Sequence, residues 1–412
     1  MNTKISYLTR YKTFKTDDDF FSLIQNLKIK NRDFPNKNAQ DFVNLFSKSI
    51  LLDKASRAFP ELIVLANFFK RRKIFNTYSN TSSPLDDENT IYTPLGKTFH
   101  IAPSNVDTIF LYSSLIALMC GNICIIRVSS RQTTQLEFAI NKLILALKEY
   151  QSIQEKFFLI SYDHNSEITE KISQLIDCRI VWGGDDSVKE IRSIPLNPLA
   201  REIVFPNRFS STIIKSKKLL ENQNNLENLV KGFVNDTIFF NQQACSSPKL
   251  VMWLGSNDDN LSAKTIFWKE YKDYFSQSFS TDTSGMMMDR FVASSFYTSS
   301  NLAIKERQSV SFPTRLSIIN QESKSIRQAH PGNGLFLEIE NNEIDEISSN
   351  IRDIDQTLSY FGLTKEEIFT LLDKVKNRGI DRVVPVGQSL DFSVVWDGYD
   401  LIEQFSRKIV VT

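Results

Sequence analysis

The sequence predicts an α/β protein built on a doubly wound parallel sheet. From residue 91 onward, short apolar runs such as 123–128, 157–162 and 178–184 alternate with segments of helical apolar spacing at 134–152 and 166–177. Strands alternating with helices favour a parallel sheet covered by helices on both faces. Ligands of such sheets bind beyond the carboxyl ends of the strands, so functional residues are expected directly after each strand.

Composition indicates a reducing compartment and excludes several classes of protein. The 412 residues suggest two or three domains, or one enzyme of two lobes. The 49 basic and 48 acidic residues nearly cancel, which argues against nucleic acid as a partner. Four cysteines are too few for a disulfide framework and lack metal-binding spacing. We therefore predict a cytoplasmic protein without a metal centre.

Neither a signal peptide nor a membrane span is predicted. The opening MNTKISYLTRYKTFK is too polar for a signal peptide. Residues 109–128 have the length of a span, but Gly121 and Asn122 interrupt them with a turn signal. We expect a buried helix that ends near Cys120, a turn, and the short buried strand ICIIRV.

Pattern changes along the chain predict four segments. Acidic first-turn residues and helical spacing predict a helical region over 1–85, which the polar stretch 79–90 links to the rest. The alternating pattern then occupies 86–235. It restarts with the strand KLVMWLG in a second lobe, 236–375, and the strand-like runs of 376–412 complete a sheet.

Three loops that follow strands carry candidate site residues. Asn105 lies in a proline-containing loop, from which an amide N–H can stabilise an oxyanion, although Pro-Ser-Asn also forms turns by itself. In the second loop, guanidinium forks and hydroxyls suit phosphate or ribose, but a solvated strand end would look the same. In the third, paired glycines before a helix allow close approach of an anion, without the GxGxxG spacing and with a plain turn equally compatible. The second loop contributes Arg127, Ser129, Ser130 and Arg131, and the third contributes Gly183 and Gly184.

Cys245, in NQQACSSPK (241–249), is either a packing residue or a nucleophile. A thiolate is a strong nucleophile even when little of the thiol is ionised at neutral pH. No histidine adjoins it in sequence. The chain has His100, His164 and His330, and the first and third lie in loops that could approach the thiol.

Several motifs in one order resemble a known family. TPLGKTFHIAPSNV, GN-IIRVSSR, NQQACSSPK, HPGNGLF and DRVVPVGQSLDFSVVWDGYDLI resemble the acyl-CoA reductases of bacterial luminescence, the LuxC type, and their non-luminous relatives. The resemblance runs from about residue 90 to the end. It implies an aldehyde dehydrogenase-like fold, with a cofactor-binding lobe over 86–235, a catalytic lobe over 236–375 and an oligomerising element.

The resemblance also implies roles for the candidate residues. Cys245 corresponds to the nucleophile, and Asn105, with the Cys245 backbone N–H, to the group that holds the oxyanion. Arg127 and Ser129 match the positions that hold the cofactor ribose, with Ser130 and Arg131 beside them, and Gly183 and Gly184 fall near the nicotinamide and pyrophosphate. Arg127 and Arg131 could read a 2′-phosphate, which favours NADPH over NADH.

One departure from the superfamily bears on the reaction. Hydrolytic aldehyde dehydrogenases carry a Glu-Leu-Gly-Gly motif whose glutamate activates water, whereas 202–210 reads EIVFPNRFS, and Glu202 is no clear match. A site without that base protects a thioester from hydrolysis. We therefore predict NADPH-dependent reduction of a fatty acyl-CoA to the aldehyde through acyl-Cys245. A partner synthetase that hands over the acyl group is a second source of substrate, and a non-catalytic scaffold or acyl-carrying subunit is the alternative function.

Overall fold

The computed structural model describes residues 5–9, 14–29, 33–70, 74, 89–102, 108–130, 133–278, 282–305, 312–319 and 325–412.

Its strands are, in chain order, β1 Ser6–Tyr7, β2 Thr90–Pro94, β3 Lys97–Ile101, β4 Ile123–Val128, β5 Phe157–Ser161, β6 Cys178–Trp182, β7 Arg201–Phe205, β8 Phe209–Lys215, β9 Pro248–Leu254, β10 Ala303–Lys305, β11 Thr314–Ile318, β12 Leu335–Asn341, β13 Asp355–Phe361, β14 Arg382–Pro385, β15 Val395–Trp396, β16 Tyr399–Asp400 and β17 Ser406–Val410.

Its α-helices are α1 Asp17–Asn26, α2 Lys37–Leu51, α3 Pro60–Lys70, α4 Ile109–Met119, α5 Thr134–Glu149, α6 Gln151–Gln154, α7 Ser166–Leu175, α8 Asp185–Ser193, α9 Ser216–Glu221, α10 Leu226–Ile238, α11 Asn257–Ser278, α12 Ser284–Ser299, α13 Ser325–Gln328, α14 Ile344–Asn350, α15 Lys365–Lys374 and α16 Leu401–Gln404.

The chain forms two compact units. One comprises residues 1–207 and 392–412, and the other comprises 208–391. Residues 208–235, which the sequence pattern groups with the first lobe, lie in the second unit. The predicted tail, 376–412, is divided between the two units, because β17 returns to pair with β2.

The first unit contains a six-stranded sheet with the order β1-β5-β4-β3-β6-β7. β1 is antiparallel to β5, and the other strands pair in parallel. By position in the chain, β3 to β7 follow the order 3-2-1-4-5 of doubly wound nucleotide-binding sheets. The order reverses between β3 and β6, and doubly wound sheets bind their ligands in the crevice beyond the carboxyl ends of the strands at such a reversal. The predicted doubly wound parallel sheet is confirmed.

The apolar stretch 109–128 folds as predicted. α4 is buried along its whole length, and the buried strand β4 follows after a turn. Gly121 makes that turn with φ +91°, where a Cβ would lie 2.7 Å from the Pro94 side chain. Burial on all sides explains why the stretch is as apolar as a membrane span. Among the described residues, no helix combines the length and the hydropathy needed to cross a membrane.

The N-terminal helices belong to the first unit. Thr16 and Asp19 form a capping box that starts α1, and Phe42 and Leu62 of α2 and α3 join the core that contains α4. β1 lies within the region predicted as helical. It is a two-residue strand that pairs with β5 at the edge of the sheet. Most of the predicted linker, residues 79–88, lies outside the described residues.

The second unit contains a seven-stranded sheet with the order β10-β11-β12-β9-β8-β13-β14. β10 is antiparallel to β11, and all other pairs are parallel. Leu250, Met252 and Leu337 lie in the core on one face of this sheet. Since the strands are parallel, the amino ends of β8, β9, β12 and β13 meet at one edge, which we call the amino edge of the second sheet.

Candidate active site

Cys245 is the accessible cysteine of the chain. It is exposed, whereas Cys120, Cys124 and Cys178 are buried in the core of the first unit. Burial raises the pKa of Cys124 and of Cys178 to about 12, so neither supplies a thiolate near neutral pH. Those three cysteines pack as small apolar side chains, and Cys245 alone combines a thiol with access for a reactant.

The loop that carries Cys245 is fastened by the side chain of Gln242. This amide is fully buried and uses both of its ends. Its Nε2 donates to the carbonyl oxygens of Pro248 at 3.0 Å and Leu335 at 3.1 Å, and its Oε1 accepts from the Gly334 N–H at 2.8 Å. Gln242 therefore ties the Cys245 loop to β9 and to the segment that precedes β12.

That segment is HPGNG, 330–334, and it lies directly against the Cys245 loop. Gln243 Nε2 donates to Pro331 O at 2.7 Å, and the Asn333 N–H donates to Asn241 O at 2.8 Å. Gly332 has φ +75°, and a Cβ there would come within 2.8 Å of both Gln243 Nε2 and Asn241 O. The close approach of the two loops explains this glycine.

Ser210 fixes Cys245 from the adjacent strand. Its hydroxyl donates to Cys245 O at 2.6 Å and accepts from the Thr357 N–H at 3.2 Å. Cys245 thus lies at the amino edge of the second sheet, beside β8 and β13. The expectation that functional residues directly follow strands does not hold for Cys245, because the loop that carries it precedes its strand, β9.

His330 and Lys249 also lie at this edge. The His330 ring stands edge-on to Phe209 with 6.0 Å between ring centroids, and Lys249 Nζ lies 5.9 Å from the centroid of the same ring. His330 Nδ1 accepts the Gly332 N–H at 3.0 Å, so a neutral ring carries its proton on Nε2. Burial, together with the Lys249 charge, lowers the pKa of His330 well below its usual value. His330 is therefore neutral near pH 7 and is no ready proton acceptor.

The other two histidines, His100 and His164, belong to the first unit and not to the amino edge of the second sheet. His100 is fully buried, with Ser113 Oγ 3.0 Å from Nδ1 and Thr98 Oγ1 3.0 Å from Nε2. Burial lowers the pKa of His100 to about 3, as expected for a structural histidine. His164 is exposed and lies 3.8 Å from a Glu190 oxygen.

Arg127 lies at the carboxyl end of β4, the second strand of the 3-2-1-4-5 order. Its guanidinium carbon is 4.6 Å from the centre of the Tyr162 ring, and one Nη donates to Tyr162 O at 3.4 Å. Its buried Nε lacks a hydrogen-bond partner among the described residues. Ser129 and Ser130 follow directly, so the structure brings these three predicted residues together. Arg131 and Asn105 lie outside the described residues.

Gly183 and Gly184 follow β6, at the crevice between β3 and β6. A Cβ on either would make only ordinary contacts, the nearest at 3.4 Å from the Ser187 Cβ, so space does not demand glycine here. Asp185 and Asp186 occupy the first turn of α8 and offset the positive end of the helix dipole. These two carboxylates disfavour an anion at this helix end, so the role of the two glycines stays a prediction.

Glu202 lies at the opposite edge of the first sheet from these glycines. It is the second residue of β7, where it pairs in register with Arg179, the second residue of β6. Its carboxylate contacts Arg179 at 2.6 Å and Arg192 at 3.1 Å. A glutamate held by two arginines at the amino ends of the strands is poorly placed to activate water.

Sequence reasoning missed Lys249, Gln242 and Ser210. Each has a partner on a strand far away in sequence, Phe209, Leu335 and Thr357 respectively, so no local pattern marks them. The segment HPGNG carries part of the family resemblance. Its contact with the Cys245 loop is visible only in the folded structure. Across the described residues, His, Cys, Asp and Glu form no group of three or more suited to a metal ion.

Sequence comparison finds one family along most of the chain. The sequence profile described as acyl-CoA reductase (LuxC) matches residues 22–268. A long-chain acyl-protein thioester reductase of Photorhabdus laumondii is 24% identical over 308 residues, which are 73% of this chain and 60% of that relative. The corresponding protein of Vibrio harveyi is 22% identical over 72% of this chain and 59% of its own length. The chain thus spans about 60% of the length of these relatives.

Structural comparison identifies the fold. An NAD-dependent aldehyde dehydrogenase from Sinorhizobium meliloti matches with a TM-score of 0.69 at 11% identity, over 95% of this chain and 85% of its own. A methylmalonate-semialdehyde dehydrogenase from Oceanimonas doudoroffii matches with a TM-score of 0.68 at 13% identity, over 96% and 90%. The predicted aldehyde dehydrogenase-like fold is confirmed.

Proposed function

Since the chain belongs to the LuxC family of acyl-CoA reductases, we propose that it reduces a long-chain acyl thioester to the fatty aldehyde through an acyl-cysteine on Cys245. The observation that carries this proposal is the accessible Cys245, fixed by Gln242 and Ser210 at an edge where strands and loops converge. A non-catalytic scaffold would gain nothing from an exposed thiol on a loop that buried hydrogen bonds fix in place.

In the proposed reaction the Cys245 thiolate attacks the carbonyl carbon of the thioester. A carbon–sulfur bond forms, the carbonyl electrons move onto oxygen, and the resemblance assigns Asn105 to hold that oxyanion. Collapse expels the original thiol as a thiolate and leaves acyl-Cys245. A bound nicotinamide cofactor would supply the hydride that reduces the acyl carbonyl. Cys245 then departs from the carbon as a thiolate, and the aldehyde is released.

The first unit supports a nicotinamide cofactor. Its 3-2-1-4-5 strand order has a crevice at the reversal point, and the ribose of such a cofactor is recognised after the second strand. Arg127 is at the carboxyl end of β4, the second strand of that order, and Ser129 and Ser130 follow it, which supports a role in binding the ribose. The unpaired Nε of Arg127 is a donor without a protein acceptor in the described chain. We propose that Arg127, with Arg131, binds the 2′-phosphate of NADPH. Arg127→Gln should then raise KM for NADPH by about tenfold and leave KM for NADH within about twofold; equal losses for both would reject NADPH selection.

The surroundings of Cys245 favour slow hydrolysis of the acyl-Cys245 thioester. Of the carboxylates at the amino edge of the second sheet, Asp355 makes a two-pronged ion pair with Arg327 at 2.6 and 2.8 Å, and Asp381 pairs with Arg208. A carboxylate committed to a guanidinium is a poor base for activating water. An acyl group on Cys245 would therefore persist until hydride or another thiol arrives.

The acyl donor is a separate choice. The curated relatives are named for reduction of acyl-protein thioesters, so an acyl group presented by a partner protein is a donor class beside acyl-CoA. We propose acyl-CoA as a sufficient donor, because exposed Cys245 is open to a small thioester. Acylation that occurs only when an acyl-activating partner is added would favour the protein-bound donor.

The decisive experiment is a single turnover with tetradecanoyl-CoA, followed by intact mass. Wild type should gain one acyl group that NADPH discharges as aldehyde, and Cys245→Ala should gain none. Cys178→Ala, at a buried cysteine, is the matched control and should be acylated like wild type. Absence of acylation in wild type with either donor class would refute the reductase.

A further inference from the structure

Lys249 lies four residues after Cys245, as the second residue of β9 at the amino edge of the second sheet. It is partly buried, and its Nζ lies 5.9 Å from the centroid of Phe209, the ring that His330 meets edge-on. Its charge interacts with both Cys245 and His330. The loop contacts made by Gln242 and Gln243 hold these groups in one place.

Lys249 is a cation of this edge that the described residues leave without a carboxylate partner. Within the described part of the chain, no carboxylate forms an ion pair with Lys249. Several arginines of the second unit are each paired with a carboxylate, and one further carboxylate accepts a hydrogen bond from an amide. These are Arg208 with Asp381, Arg290 with Asp282, Arg315 with Glu338, Arg327 with Asp355, and Asp289 with the Asn333 amide at 2.8 Å. His330 is neutral, so it adds no charge near pH 7.

We propose that Lys249 is the counter-ion of the Cys245 thiolate, the group that keeps this cysteine ionised near neutral pH. An opposite charge within a few ångströms favours the charged form of a thiol. Burial lowers the pKa of Lys249, whereas the Cys245 charge opposes that shift, as expected for two groups that stabilise each other's ionised forms. Lys249 would stabilise the Cys245 thiolate both before the attack on the thioester and after release of the aldehyde, because Cys245 is a thiolate at both steps.

This inference rests on the proposed nucleophile, but its test uses neither acyl donor nor cofactor. The rate of Cys245 alkylation by iodoacetamide is measured against pH by intact mass. The three other cysteines are fully buried and stay unlabelled while the protein is folded. Wild type should show a midpoint about one pH unit below that of Lys249→Met, so that the variant reacts about tenfold more slowly at pH 7.

Matched variants make the result specific. Lys249→Arg, which keeps the charge, should restore the wild-type midpoint, and Lys189→Met, at an exposed lysine of α8, should not move it. A melting temperature of Lys249→Met near that of wild type shows that the fold is intact. Equal midpoints for wild type and folded Lys249→Met would overturn the proposal, as would a shift in His330→Gln without one in Lys249→Met.

A failed acylation experiment and a failed alkylation experiment have different meanings. Loss of acylation with a retained midpoint shift would refute the reductase and leave the ion pair. Normal acylation with no midpoint shift would leave the reductase and refute the role of Lys249.

Discussion

Replacing Gln242 by leucine tests whether the buried amide holds the Cys245 loop in place. Gln242→Leu removes three hydrogen bonds and leaves the carbonyls of Pro248 and Leu335 and the N–H of Gly334 without that partner. Each buried group left unpaired costs about 1 kcal/mol or more, so the second unit should lose about 3 kcal/mol of unfolding free energy. For a unit of this size that lowers Tm by roughly 6 to 12 °C.

Gln243 offers a control of the same residue type at the next position. Its amide is exposed and, among the described residues, donates one hydrogen bond, to Pro331 O, so Gln243→Leu should cost less than about 1 kcal/mol. Scanning calorimetry gives both melting temperatures, and iodoacetamide labelling reports whether Cys245 keeps its reactivity. A loss in Gln242→Leu no larger than that in Gln243→Leu would show that the buried amide does not hold the loop.

Three further substitutions test other parts of the structure. Burial raises the pKa of Asp236 to about 7 despite hydrogen bonds from the 387–389 loop, so wild type should lose stability as pH rises from about 4 to 7. Asp236→Asn should lack that slope in a series of melting temperatures, and an identical slope would contradict the shift. Burial lowers the pKa of His100 to about 3, so stability should fall as pH drops from about 6.5 toward 3, and His100→Gln should be less acid-sensitive. Glu202→Gln should leave the lifetime of acyl-Cys245 within about twofold, and a tenfold longer lifetime would restore Glu202 as the water-activating base.

The alternation of strands and helices in the first unit was predictable because its strands are buried on both faces. ICIIRV and FFLIS read as nearly continuous apolar runs, and such runs are distinctive in sequence. β1 was not predictable, since its two residues pair with Ser161 and Ile160 far along the chain. The unit boundary at 207 was hidden for a similar reason. The return of β17 to β2 joins segments about 300 residues apart, which a linear reading of the pattern cannot see.

The candidate site divides in the same way. Cys245 stood out through its motif and its family resemblance, which require no knowledge of the fold. Lys249 gave no signal, because a lysine at the start of a strand is usually a solvated end. The role proposed for it depends on Phe209 and His330, which only the register of β8, β9 and β12 brings near.

Backbone conformation provides an independent reason to regard the Cys245 edge as functional. Asn241, Gln242 and Asn333 all have φ between +50° and +57°, a region that non-glycine residues seldom adopt. Such residues cost of order 1 kcal/mol each and persist where the surroundings over-determine them, which is common at active sites. Here the three hydrogen bonds of Gln242, and the N–H that Asn333 donates to Asn241 O, hold these backbone conformations in place. A loop that only connected α10 to β9 would gain nothing from this strain, whereas a loop that must present a thiol in one orientation does.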